Sequence, residues 1–176
     1  MHKAIFLLFL LLLINGYSQK EIISSKRTSQ ISLDGDLKEA DWVNANWTSG
    51  FTQMKPFPGE KASKKTEVAM LFDQEAIYFG VKCYDHPDSI SRVLSLRDDF
   101  NPNLDFFGIF LDTYNDKQNG FFFGLSSRGV QVDAKIFSED FNDLLNLVWR
   151  SKTQINDQGW FAEIKIPYSA IRFPKE

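Results

Sequence analysis

From Thr66 onward the chain alternates apolar and polar positions with a period of two, the spacing of half-buried strands. TEVAMLF (Thr66 to Phe72) and AIYFGVKCY (Ala76 to Tyr84) flank Asp73-Gln74-Glu75, which predicts a hairpin. DFFGIFLDTY (Asp105 to Tyr114) predicts a third long strand. FFFGLSS and VQVDAKIF follow, punctuated by Asn119-Gly120 and Arg128-Gly129, where glycine suits the positive backbone angle of a tight turn. WRSKTQI (Trp149 to Ile155) and GWFAEIKIP (Gly159 to Pro167) predict a last hairpin turned at Asn156-Asp157-Gln158, completing a β-meander. About eight strands with turn signals at this spacing predict an all-β fold, an antiparallel β-sandwich of jelly-roll or immunoglobulin-like layout.

One short N-terminal helix is expected beside the strands. Asp36 with Glu39 three residues on has the form of a capping box, opening a helix through Leu37, Ala40 and Val43 that covers one end of the sandwich. Alternation also sorts the aromatic run Phe121-Phe122-Phe123 into two core rings flanking one on the opposite face. The single Cys83 shares a strand face with Ile77, Phe79 and Val81, so it reads as a small buried hydrophobe.

The first residues follow a different pattern. Lys3 precedes the apolar run Ala4 to Asn15, and Gly16-Tyr17-Ser18 offers small residues for a signal peptidase, which predicts a secretory signal peptide over residues 1–18. The run falls short of the roughly 20 residues a spanning helix needs. The expected mature chain, residues 19–176, is one domain exported to the periplasm or the outer-membrane surface. Removing the leader takes away one lysine and moves the formal net charge from −3 to −4. Such a balance gives no basic face for phosphate, so a nucleic-acid partner is not expected. Seventeen Phe, five Tyr and four Trp supply enough apolar area for a core without disulfides.

The segments LDGDLKEADW, FTQMKPFPGEKASKKTEV, IYFGVKCYD, SLRDDF, FLDTYNDKQNGFFFGLSSRGVQVD and GWFAEIKIPYSAIRFP, taken in order, resemble the family 9 carbohydrate-binding modules and their relatives over nearly the whole mature chain. The similarity is greatest to a subgroup of exported Gram-negative proteins in which this module precedes a region that looks like an outer-membrane β-barrel. This chain reaches Pro174-Lys175-Glu176 where those proteins continue, which is compatible with a fragment or with a free-standing module. The resemblance implies a non-catalytic β-sandwich that binds poly- or oligosaccharide within a carbohydrate-degradation or uptake system. A structural domain docking an outer-membrane barrel or partner protein is the alternative, and a glycoside hydrolase the second alternative.

Sugar binding needs aromatic faces and hydroxyl partners. Trp47 and Trp149 are the leading candidate platforms, with Trp42 behind them as a plug of the sandwich end, while Trp160 alternates with Ala162, Ile164 and Ile166 and reads as core. All four indoles could equally be packing residues. Arg97 and Asp112 are candidate polar contacts. Asp112 alternates with Phe106 and Phe110, so strict alternation gives it a cation, an arginine or several donors as partner. Asp98, Asp99 and Asp105, with Asp112 nearby, suit Ca²⁺ as the one possible cofactor, but they come from two chain segments and match no calcium-loop pattern, so an Arg97–Asp112 pair is preferred to a calcium site. A glycosidase would need two carboxylates about 5 to 9.5 Å apart, a distance that spacing does not supply. There is no G-x-S-x-G, and the only histidine after the leader is His86 beside Pro87, so serine and zinc hydrolases lack their residues.

Overall fold

The computed structural model describes residues 20–174 except 100, 102, 139, 144 and 145, so the expected leader lies outside the described residues. In chain order the elements are β1 (Ser25–Lys26), α1 (Ala40–Val43), β2 (Thr48–Ser49), β3 (Thr66–Phe72), β4 (Ala76–Tyr84), β5 (Phe106–Leu111), β6 (Asn119–Ser126), β7 (Gln131–Phe137), β8 (Asp140–Asn142), β9 (Arg150–Asn156) and β10 (Gly159–Pro167). One sheet runs β1-β3-β4-β10-β9, with β2 also on β3, and the other runs β5-β6-β7-β8. Their facing sides make a β-sandwich.

Alternation assigns the faces. Val68, Phe79, Val81, Trp160, Ala162, Ile164 and Ile166 of the first sheet meet Ile109, Phe121, Phe123 and Leu125 of the second in one continuous core. Phe122 points the other way, as the period of two requires. Cys83 packs against the same core, and burial pushes its thiol up to about 12.

Three expectations change. The last hairpin does not extend the meander, because β10 pairs antiparallel with β4 and carries β9 to the edge of the first sheet. The sandwich is not wholly antiparallel, since β1 runs parallel to β3. Gly120 lies inside β6 rather than at a turn, where a Cβ would meet the Leu111 carbonyl oxygen at 2.9 Å, and the turn before it uses Asn115 and Lys117 at positive φ instead.

The N-terminal region differs most from expectation. Its helix is the single turn Ala40–Val43 with Glu39 at the N-cap and no side-chain cap, so the Asp36–Glu39 capping box does not form. Asp36 donates its N–H to Asp34, and Glu39 Oε1 accepts from Ser32 N–H at 3.0 Å. The segment lies on the outer face of the first sheet, not at a sandwich end. There Leu37 and Trp42 pack with Ala69, Leu71, Tyr78 and Phe161.

Glu163 of β10 holds this layer down. Its side chain is fully buried, and it accepts from Asp34 N–H at 2.7 Å, Gly35 N–H at 2.8 Å and Trp42 Nε1–H at 2.7 Å. Gly80 is its partner across the ladder, and a Cβ at Gly80 would meet Leu37 and Trp42 at 2.9 Å. The absent side chain therefore makes room for the indole that Glu163 binds. Gly35, at φ +88°, lies so close to β9 that a Cβ would meet the backbone of Thr153 and Gln154 at 2.9 Å. Burying a carboxylate costs several kcal/mol. Three bonds of about 1.5 to 3 kcal/mol each to a charged group offset that cost. Burial, with the neighbouring Glu39 adding to it, still leaves the Glu163 carboxyl above its ordinary range despite those donors.

Replacing Glu163 by Gln turns an amide N–H toward backbone or indole donors. The expected loss is about 3 kcal/mol of unfolding free energy in a urea titration, with the core indole Trp160 left in place.

Candidate functional site

The outer layer touches β9 at Gly35 but leaves the Arg150 end of that strand open, where there is a groove of about 730 Å³. The segment from Arg27 to Leu33 forms one wall, Arg150 and Lys152 of β9 form the other, and Tyr78 and Lys165 lie on the sheet face between them. Gln131, Trp149 and Ser151 close one end, where the two sheets approach each other. A shallower cleft of about 330 Å³ shares Gln131 and Ser151 with the groove and adds Ser95 and Arg97.

A polar network holds the shared end together. Asp133 of β7 is fully buried on the inner face and accepts from Arg97, from Leu147 N–H at 2.7 Å and from Trp149 Nε1–H at 2.9 Å. Arg97 Nη1 also donates to Gln131 Oε1 at 2.6 Å, and Gln131 Nε2 donates to Ser151 Oγ at 2.9 Å. One guanidinium thus joins the segment before β5 to β7, and Gln131 carries the connection to β9 across the mouth of the sandwich.

The candidate residues are dispersed. Trp42 is 0 % exposed and bonded to Glu163, so it offers no face to a ligand and is an anchor of the outer layer. Trp149 is 5 % exposed, packs in a T-shaped contact with Phe123, and lines the groove end. Trp47 is half-buried, donates its indole N–H to the Trp42 carbonyl, and carries the Lys82 ammonium 3.8 Å from its ring centre. Arg97 does find a carboxylate, but its partners are Asp133 and Asp98 rather than Asp112. Asp112 is exposed beyond the end of β5 and accepts from Asp116 N–H and Lys117 N–H in the turn, because the strand ends before alternation can place it beside Phe110.

The proposed calcium ligands likewise serve separate ends. Asp98 accepts from Asp133 N–H at 3.0 Å, Asp105 accepts from Ser91 N–H at 2.6 Å, and Asp99 is exposed. Among the described residues, the three acids whose oxygens come within 4.8 Å of one another are Asp34, Glu39 and Glu163. Glu163 is occupied by its three donors there. The sequence reading missed Asp133 as the hub and the β9 cations as groove wall. Asp133 sits at an inward position of β7, and a carboxylate on a core face was the available signal.

Two acids fix the N-terminal wall. Asp73 accepts from Arg27 Nε at 2.8 Å, from the N–H groups of Glu75 and Ala76, and from the Tyr78 hydroxyl. Asp41 accepts from the N–H and hydroxyl groups of both Thr28 and Ser29. Burial pushes both carboxyls up, but these hydrogen bonds outweigh it and hold each at about 2 instead of 3.8. A carboxyl depressed by folding stabilises the fold above its unfolded pKa, and that contribution is lost as pH falls through the folded value. The melting temperature is therefore expected to fall between about pH 4 and pH 2, and Asp73→Asn is expected to flatten that limb of a melting-temperature profile against pH.

No protein-family model and no curated protein matches the chain. Its fold is shared with solved structures. A family 9 carbohydrate-binding module from Caldicellulosiruptor kristjanssonii in complex with cellotriose superposes with a TM-score of 0.60 at 17 % identity, over 88 % of this chain and 70 % of that one. A structure of a family 9 module from the same organism in complex with glucose gives a TM-score of 0.60 at 18 % identity, over 89 % of this chain and 72 % of that one. The chain therefore has the β-sandwich fold of the family 9 carbohydrate-binding modules.

Proposed function

We propose that this protein is an exported, non-catalytic carbohydrate-binding module that takes a poly- or oligosaccharide in the groove along β9 and serves a degradation or uptake system at the cell envelope. The observation that carries the reading is a groove of about 730 Å³, walled by polar side chains, on a fold whose solved relatives hold cellotriose and glucose. Gln30, Ser32, Ser151 and Arg150 bring hydroxyl, amide and guanidinium groups to it, the chemistry that pairs with sugar hydroxyls. Its lining holds no carboxylate, which favours binding over hydrolysis by a pair of acids. Trp42, Trp47 and Trp160 do not line the groove and Trp149 at its end is 5 % exposed, so recognition there rests on polar contacts more than on ring stacking.

A second reading, docking to an outer-membrane barrel, has one feature in its favour. On the outer face of the second sheet Phe106, Phe110 and Phe141 surround buried Phe122, and Phe110 is 67 % exposed. Exposed aromatic patches mark interaction surfaces. Under that reading Phe110→Ser would release the protein from the outer-membrane fraction without altering any sugar affinity.

A glycan array probed with the purified exported protein is expected to show saturable sugar binding. Gln30→Ala is expected to weaken it severalfold with the melting temperature unchanged, because Gln30 is exposed at the groove wall. Absence of binding to every glycan would overturn the reading. N-terminal sequencing of the same preparation is expected to begin at Gln19, and an intact Met1 would make the leader an anchor instead.

A further inference from the structure

The groove carries a charge that the rest of the protein does not. The chain is acidic, with a formal net charge of −3, yet the charged residues lining the groove are Arg27, Arg150, Lys152 and Lys165, all cations. Two of them have protein partners. Arg27 is bound to Asp73 at 2.6 Å, and Lys165 stands 3.9 Å from Glu75. Arg150 and Lys152 are exposed and have no ion pair among the described residues.

The strand register gathers these cations on one face. Arg150 of β9 is directly opposite Lys165 of β10, and like charges opposite each other in an antiparallel ladder repel. Lys152 is opposite Glu163, which would ordinarily neutralise it. That carboxylate is buried beneath the outer layer and accepts from Asp34, Gly35 and Trp42, and it forms no ion pair with Lys152 among the described residues. The one acid that the ladder brings opposite the β9 cations thus makes its hydrogen bonds to the outer layer rather than to them. The amide of Gln30 and the Ser151 hydroxyl stand beside the same cations with groups suited to neutral hydroxyls.

We infer that the sugar taken by this groove is anionic: a glycan whose rings carry carboxylate or sulfate, with Arg150, Lys152 and Lys165 receiving the charge. The inference rests on the carbohydrate-binding reading and adds the class of ligand. A guanidinium offers two parallel N–H donors to a carboxylate or sulfate, and the two ammonium groups act as point charges beside it. An anion at this place would meet two exposed cations, Arg150 and Lys152, that have no ion pair among the described residues.

The test uses paired probes that differ in charge alone. Titration calorimetry on the purified exported protein would compare oligogalacturonate with its methyl-esterified form, and dextran sulfate with dextran, with cellotriose as a neutral glucan and poly-L-glutamate as a polyanion that is not a sugar. One charged member is expected to bind at least tenfold more tightly than its neutral counterpart, and the identity of that member distinguishes carboxylate from sulfate. The preference is expected to shrink when salt is raised from 50 to 500 mM, because the cations are exposed and screened. Arg150→Gln with Lys152→Gln is expected to remove most of it at an unchanged melting temperature, each lost charge-assisted contact weakening binding about tenfold. Equal affinity for charged and neutral sugars would overturn this inference and leave the carbohydrate-binding reading standing. Binding of poly-L-glutamate as tight as that of the sugar would also overturn it, by making the groove a general cationic surface. Binding of no sugar at all would overturn both.

Discussion

The buried carboxylate of Glu163 is the constraint on which the layout depends. A β-sandwich has two outer faces, and in this protein the outer face of the first sheet is apolar at Ala69, Leu71, Tyr78 and Phe161 and needs a cover. The chain before β3 supplies one, but a loop with a single helical turn has few backbone bonds of its own to fix its position. Glu163 provides the fixed point, taking two backbone N–H groups and one indole N–H at 2.7 to 2.8 Å. Because the desolvation cost and the hydrogen bonds are of similar size, the chief effect of this site is to specify where the layer sits. Gly80 and Gly35 fit the same scheme, one by leaving room for the indole and the other by letting the loop touch β9.

The groove follows from how that layer ends. Asp73 and Asp41 hold the segment from Arg27 to Ser29 at the far side, while β9, touched by the cover at Gly35, turns Arg150, Lys152 and Gln154 to the same face. The space between them is concave because the cover is held at Arg27 to Ser29 and meets β9 at Gly35, leaving the Arg150 end of that strand open. The carboxylate opposite Lys152 is the one that holds the cover, and Lys152 has no ion pair among the described residues.

Opposite ends of the molecule divide the aromatic rings between different duties. Trp42, Trp149 and Trp160 are enclosed, two of them with their N–H groups given to buried carboxylates. Phe110 and its neighbours lie on the outer face of the second sheet, where Gly108 and Gly124 leave the rings room to lie across the strands. A polar ligand in the groove and an apolar surface on the far sheet are thus physically separate, and each can be altered without disturbing the other.

Period-two alternation determined much of the fold. It identified β3, β4 and β10 with their observed bounds, put Cys83 and Trp160 on the core face, and separated Phe122 from Phe121 and Phe123, because a strand's side chains alternate whatever it packs against. It could not say which strands become neighbours. The last hairpin joins β4 across a long stretch of chain, and that choice is made by the burial of two complete faces, a property of the assembled sandwich. The candidate site was legible only in part. Arg97 was recognisable as a cation in need of a carboxylate, but Asp112 lost that role when β5 ended at Leu111 and Asp133 gained it from inside the core. The capping box at Asp36 and Glu39 was a local pattern overridden by a longer-range one, since Glu163 takes the neighbouring N–H groups from 128 and 129 residues away. The groove existed in no segment of the sequence, because its walls, Arg27 to Leu33 and Arg150 to Lys152, meet only when the N-terminal cover is pinned to the sheet that β9 completes.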